Sequence, residues 1–223
     1  MKEKNRLTIF AILELIVAVL GIVALCRYCW GIAYNAFRHP ASLLEENTLS
    51  KFTNLSNIFV SVVGLIGATY AIMSLKKGEN VIPRWVATMK FMSVVYIVIT
   101  FVVVSVLLSW ISPEPWTLFS GKQIFTHITN PIIAVIGYCF LSVKEAPRPN
   151  IMWLSLIPVA LYSALYVVMV FVVKTWSDFY GVGIEMPWSM VVYGFALVGF
   201  SVAISFILYK LKFRKMVAKT AIV

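Results

Sequence analysis

The chain has 223 residues, of which 61% are hydrophobic and only 13% charged, and it carries a formal charge of +10. A soluble domain is nearer half apolar and a quarter charged, so this composition excludes an ordinary soluble globule and indicates an integral membrane protein. With no soluble basic module in view, the positive charge argues for a one-sided distribution around membrane spans rather than for nucleic-acid binding.

Lys2, Lys4 and Arg6 precede an apolar run that extends to about Cys29 without a small-residue cleavage site, so it is taken as a first span rather than a signal peptide. Further apolar runs fall at about 53–75, 86–111, 123–143, 151–173 and 188–210. Each reaches the roughly 20 residues that a helix needs to cross a hydrocarbon core of about 30 Å. The runs are continuous rather than alternating, and backbone in lipid must satisfy its own hydrogen bonds, so they are expected to be helices and not strands. The breaks carry turn residues, as in Lys76-Lys77-Gly78-Glu79-Asn80 and Ala146-Pro147-Arg148-Pro149-Asn150. No linker or repeat divides the chain. The expectation is an all-α bundle of six transmembrane helices in a single domain, 1–223, with Pro158 kinking the fifth.

Six spans put both termini on one side. The N-tail, the second loop with Lys76, Lys77, Arg84 and Lys90, the fourth loop with Lys144 and Arg148, and the C-tail hold most of the basic residues. Arg27, Arg38, Lys51, Lys122 and Lys174 fall on the other side. The positive-inside rule therefore places both termini in the cytoplasm. Glu45, Glu46, Glu114, Asp178 and Glu185 fall on the outer side, where Trp30, Trp110, Trp116, Trp176 and Trp188 suggest an interfacial belt. The basic tail is read as a topology anchor.

The second span opens with "FTNLSN", which puts Thr53, Asn54, Ser56 and Asn57 at the outer surface. Thr53, Ser56 and Asn57 share a helix face that continues through Ser61 and Gly64, small residues suited to close helix contact. Ser50 or Thr53 as a helix cap is one reading. A polar site is the other, because a cap needs one such residue and this face is two turns long. His127, in "FTHITNP" at the start of the fourth span, is a functional candidate because a histidine entering a membrane helix is costly without a cavity or partner. His39 reads as a solvated loop residue. A hydroxyl beside a base is the arrangement for nucleophilic acyl transfer. In it Thr53 would attack an ester, His127 would carry the proton, and Asn54, Ser56, Asn57 and Asn130 would line the site or stabilise an oxyanion.

Glu14 lies well inside the first span and is expected to be protonated or paired, for instance with Lys90, unless it couples protons. It sits too far below the outer cluster to join His127. Cys26 and Cys29 have C-x-x-C spacing at a helix end, without the context of a redox motif. Asp178 and Glu185 are solvated loop acids or partners for His127 or headgroups. Neither a metal site nor a cofactor is indicated.

"FTNLSN" at 52–57 together with "HITNP" at 127–131 resembles the androgen-induced-gene family of six-span membrane proteins, and more closely its prokaryotic relatives, which share F-T-x-x-S-N and H-x-x-x-P stretches. The motif match covers about eleven residues, and the six-span layout extends over the chain. Mammalian members are threonine hydrolases that cleave fatty-acid esters of hydroxy fatty acids with a threonine on the second span and a histidine on the fourth. The resemblance implies Thr53 as nucleophile, His127 as base, a lipid substrate from the bilayer and a place in the bacterial cell membrane. Relatives tend to carry an acid six positions after the motif proline, where this chain has Gly137. Two other readings stand beside the hydrolase: a non-catalytic protein that binds or moves a lipid or small hydrophobic molecule, and a transporter coupled through Glu14. The transporter lacks the internal repeat expected of it.

Overall fold

The computed structural model describes residues 2–38, 48–109, 112–121, 123–178, 180 and 187–220, with side chains for all of these but 24–38, 48, 107, 187–193 and 214–220. Among them the chain is helical and contains no strand. The helices are α1 (Glu3–Arg38), α2 (Phe52–Lys77), α3 (Arg84–Val102), α4 (Asn130–Phe140), α5 (Ile151–Leu154), α6 (Leu156–Val167) and α7 (Pro187–Thr220). Three stretches of the wider π-helix extend them: Val103–Leu108 after α3, Phe125–Thr129 before α4 and Val168–Val172 after α6. Five helical segments among the described residues are long and apolar enough to cross a membrane, and Phe125–Phe140 is a shorter apolar helix.

The ends follow local chemistry. α2 stops at Gly78, whose φ of 71° is the left-handed conformation that a helix terminator adopts and glycine tolerates. The fifth apolar run breaks at Ser155, between α5 and α6. Pro158 has no N–H for the carbonyl of Leu154, so the expected distortion falls one turn upstream of the proline.

Because lipid is as apolar as the side chains it contacts, close packing rather than water exclusion drives helices together in a membrane. α1 and α2 show how this is done. A Cβ at Gly64 would lie 2.9 Å from the Glu14 carbonyl, and one at Gly67 would lie 3.2 Å from the Phe10 ring. Ser61 Oγ, which donates to the Asn57 carbonyl at 2.8 Å, lies 3.3 Å from the carbonyl of Val17. Ascending α2 thus meets descending α1, an antiparallel pair fitted through the Ser61 and Gly64 stripe expected from spacing. α3 packs antiparallel to α2, from Ser56 against Thr100 to Tyr70 edge-on against Trp85. Phe91, Tyr138, Tyr209 and Phe213 join α3, α4 and α7 in one aromatic cluster.

One end of the bundle gathers the basic segments. Glu3 accepts from Asn80 and Ser142, Arg6 donates to the carbonyl of Leu141, Lys212 to that of Cys139, and Tyr209 to that of Pro147. The N-terminal turn, the α2–α3 and α4–α5 loops and the end of α7 therefore meet. The opposite end holds the start of α2, Leu118 and Tyr180.

Lys90 requires a correction. Grouped by sequence with the basic second loop, it is wholly buried on α3, and its ammonium sits 2.7 Å from both carboxylate oxygens of Glu14, also wholly buried. Lys90 therefore pairs with Glu14 inside the bundle, as one expectation for that acid had it, and adds nothing to the loop charge; Glu14 Oε1 has the ion pair but no hydrogen-bond partner among the described residues. A Cβ on Gly137 would come within 2.6 Å of Glu14 Oε1, so α4 closes over the pair. Of the expected tryptophan belt, Trp116 is exposed while Trp176 packs on Tyr166; Trp30, Trp110 and Trp188 lie outside the described side chains.

Candidate functional site

The start of α2 is held from outside the helix. Its N-cap position falls on Lys51, whose side chain makes no cap hydrogen bond, so neither Ser50 nor Thr53 occupies that position. The first amides of a helix lack internal partners, and here the Phe52 N–H reaches the hydroxyls of Tyr162 and Tyr180 at 3.1 Å each. Tyr162 donates to the carbonyl of Ser50 at 2.8 Å, which spends its single proton, so Tyr180 donates across the 3.3 Å contact between the two phenols. Burial, with the Tyr166 ring packed against it, desolvates Tyr180 and raises its pKa, so the phenol keeps its proton well past neutral pH. Removing the Tyr162 hydroxyl (Tyr162→Phe) is expected to destabilise by about 1 kcal/mol, since a part-buried carbonyl loses its donor. The check is the thermal unfolding midpoint in detergent, which should fall by a few degrees; an unchanged midpoint contradicts this role.

Ser56 and Asn57 turn inward and are buried. Ser56 donates to the carbonyl of Thr53 at 2.9 Å and accepts from the Thr100 hydroxyl at 2.8 Å, which ties α2 to α3. Asn57 makes the connection that matters most. Its amide nitrogen donates to the carbonyl of Thr53 at 2.8 Å on its own helix and to that of Thr126 at 3.0 Å on the turn before α4. Its oxygen accepts from Asn130 at 3.0 Å. The two carbonyls demand donors, which fixes how the Asn57 amide lies and, through it, the Asn130 amide. Asn130 Oδ1 is then left buried without a partner among the described residues.

The sequence explains why the Thr126 carbonyl is open to Asn57. Around His127 the chain runs in π register, with the N–H of Asn130 bonded to Phe125, five residues back. In an α-helix Asn130 would serve Thr126; in the π register the residue at 131 would. Residue 131 is proline and has no N–H. Thr126 therefore loses both intrahelical donors, and the Asn57 side chain supplies the replacement.

His127 is buried, and its Nδ1 is hydrogen-bonded to the carbonyl of Leu118 in the turn Pro115–Phe119. A carbonyl only accepts, so Nδ1 carries the hydrogen, and in the neutral ring the lone pair resides on Nε2. Thr53 is half-buried, and no hydrogen bond joins it to His127 among the described residues. What the structure brings together is the two motifs, through Asn57. Asn54 is half-buried at the same turn.

Other candidates are placed elsewhere. Asp178 accepts from the Tyr166 hydroxyl, while Leu118 holds His127 Nδ1, so Asp178 does not orient the histidine through that nitrogen. Glu14 abuts Gly137, ten residues past His127 and thus on the order of 15 Å deeper at ~1.5 Å per residue. Its partner is Lys90, not the outer cluster. His39 and Glu185 lie outside the described residues, as do the side chains of Cys26 and Cys29. Sequence reasoning missed the Leu118 carbonyl and the Tyr162–Tyr180 clasp. The clasp follows from tertiary packing with no local signal, whereas Pro131 was a readable sign of an unserved carbonyl about one turn upstream, which the π register places on Thr126.

No protein-family model, curated protein or solved structure matches the chain. The resemblance to the androgen-induced-gene family therefore rests on the two motifs.

Proposed function

We propose that this protein is an intramembrane hydrolase of lipid esters, of the kind that link a fatty acid to a hydroxy fatty acid, with Thr53 as nucleophile and His127 as general base and acid. In this reading the bundle has six spans, both termini are cytoplasmic, and the site faces the extracytoplasmic leaflet. The observation that carries it is the tautomer of His127: with Nδ1–H held by the Leu118 carbonyl, Nε2 is the basic nitrogen.

As Thr53 Oγ1 attacks the ester carbonyl, its proton passes to Nε2 and the carbonyl π pair moves onto oxygen. Collapse of that oxyanion breaks the C–O bond to the alcohol, which leaves with the proton from His127. The acyl-threonine is then attacked by water, whose proton His127 takes and returns to Thr53 Oγ1 as the free acid departs. Asn57 has both amide hydrogens engaged on carbonyls, and the N–H groups of Phe52, Asn54 and Leu55 are engaged as well, so in this scheme the oxyanion is stabilised by the positive end of α2. Substrate binding closes the gap between hydroxyl and base, as catalytic hydrogen bonds often tighten only with substrate present.

The lack of a direct Thr53–His127 hydrogen bond favours a second reading, a protein that binds or moves a lipid without cleaving it. The purified protein, assayed with a fatty-acid ester of a hydroxy fatty acid in mixed micelles, separates the two. The hydrolase reading expects turnover that Thr53→Ser retains in part and Thr53→Ala abolishes. No turnover by the unaltered protein, with ligand affinity unchanged in Thr53→Ala, supports the binder.

A further inference from the structure

We infer that Asn57 is the positioning residue of this site: it stands in for the N–H that Pro131 lacks, and so locks the π turn bearing His127 to the first turn of α2. The inference rests on the hydrolase reading for its catalytic consequence, and on geometry alone for its structural one.

Three facts combine. The Thr126 carbonyl has no donor within its own helix, because the N–H of Asn130 goes to Phe125 and residue 131 is proline. A single wholly buried amide nitrogen reaches that carbonyl and the carbonyl of Thr53, at 3.0 and 2.8 Å. Asn130 then holds the Asn57 oxygen, so the amide cannot rotate away without abandoning three hydrogen bonds. The residue expected to attack and the residue next to the expected base are thus fixed to one side chain. A π turn exposes a carbonyl that an α-helix would hide. The proline keeps it exposed, and the asparagine converts it into a contact between helices. Leu118 sets the rotation of the imidazole, and Asn57 sets where the turn beneath it lies relative to Thr53.

Asn57→Ala should release the turn. Displacement of about 1 Å between a base and its partner costs on the order of 10²-fold in rate, so kcat for the lipid ester is expected to fall by about that factor with KM little changed. A second readout does not depend on turnover. With only two histidines in the chain, a His39→Gln background leaves His127 as the sole imidazole signal in ¹⁵N-histidine-labelled protein. Its Nδ1–H, sheltered by Leu118, should give a slowly exchanging resonance that Asn57→Ala broadens or loses. Adding Pro131→Ala restores an N–H for the Thr126 carbonyl and is expected to recover that resonance. This rescue would not follow if Asn57 were merely filling space, and it covers the case in which Asn57→Ala alone folds poorly. An imidazole spectrum unchanged by Asn57→Ala, or a loss that Pro131→Ala does not reverse, overturns the positioning role. A spectrum that responds as expected in a protein without hydrolytic activity leaves the positioning role standing and removes the hydrolase.

Discussion

Lys90→Met is expected to destabilise the protein by about 3–5 kcal/mol, because it leaves the Glu14 carboxylate wholly buried without its cation. Glu14→Leu should cost a similar amount by stranding the ammonium on α3. The double replacement by apolar residues of similar volume should recover most of the loss, since two charges taken out of water return little beyond their own desolvation. Unfolding of the protein in mixed micelles by a denaturing detergent measures all three. Single variants as stable as the parent would mean that the pair contributes nothing; a double variant as unstable as the singles would mean that the charge itself is needed. Gly137 belongs to the same unit. A Cβ there would fall 2.6 Å from Glu14 Oε1, while Lys90 holds the carboxylate from the other side.

The second large effect concerns chemistry. His127→Ala is expected to lower ester turnover by about 10²–10⁴-fold, the range supplied by a positioned general base. Stability should fall by about 1–3 kcal/mol, because the Leu118 carbonyl loses its donor, while the helix contacts through Asn57 and Asn130 remain. Unfolding under assay conditions would mean that the histidine is a structural plug. Loss of activity in a protein that remains folded is what a base predicts.

Apolar run length and turn residues made the helices legible, and the i, i+3, i+4 spacing of Thr53, Ser56 and Asn57 correctly indicated which side of α2 faces the bundle. Gly78 as the stop of α2 and the break near Pro158 were also readable, because glycine and proline act through their own backbone geometry. Lys90 was read two ways, as loop charge and as a partner for Glu14, and the structure bears out the second: it lies six residues past Arg84 on α3, against an acid 76 residues earlier in the chain. A carboxylate lies against Gly137, supplied by Glu14 of α1. A buried acid and a buried base could be named as candidates for each other, but that their helices meet is set by packing, which one sequence does not encode in any local pattern. The helix cap failed for the same reason, since tyrosines from α6 and the last loop took over the role reserved for Ser50 or Thr53.

In the proposed mechanism Thr53 Oγ1 attacks and His127 activates it. The most direct measurement is to label the purified protein with a long-chain fluorophosphonate and map the adduct by mass spectrometry. The expected result is a single adduct on Thr53, retained in Thr53→Ser and absent in both Thr53→Ala and His127→Ala. An adduct on another residue, or ester hydrolysis that persists in Thr53→Ala, would contradict it.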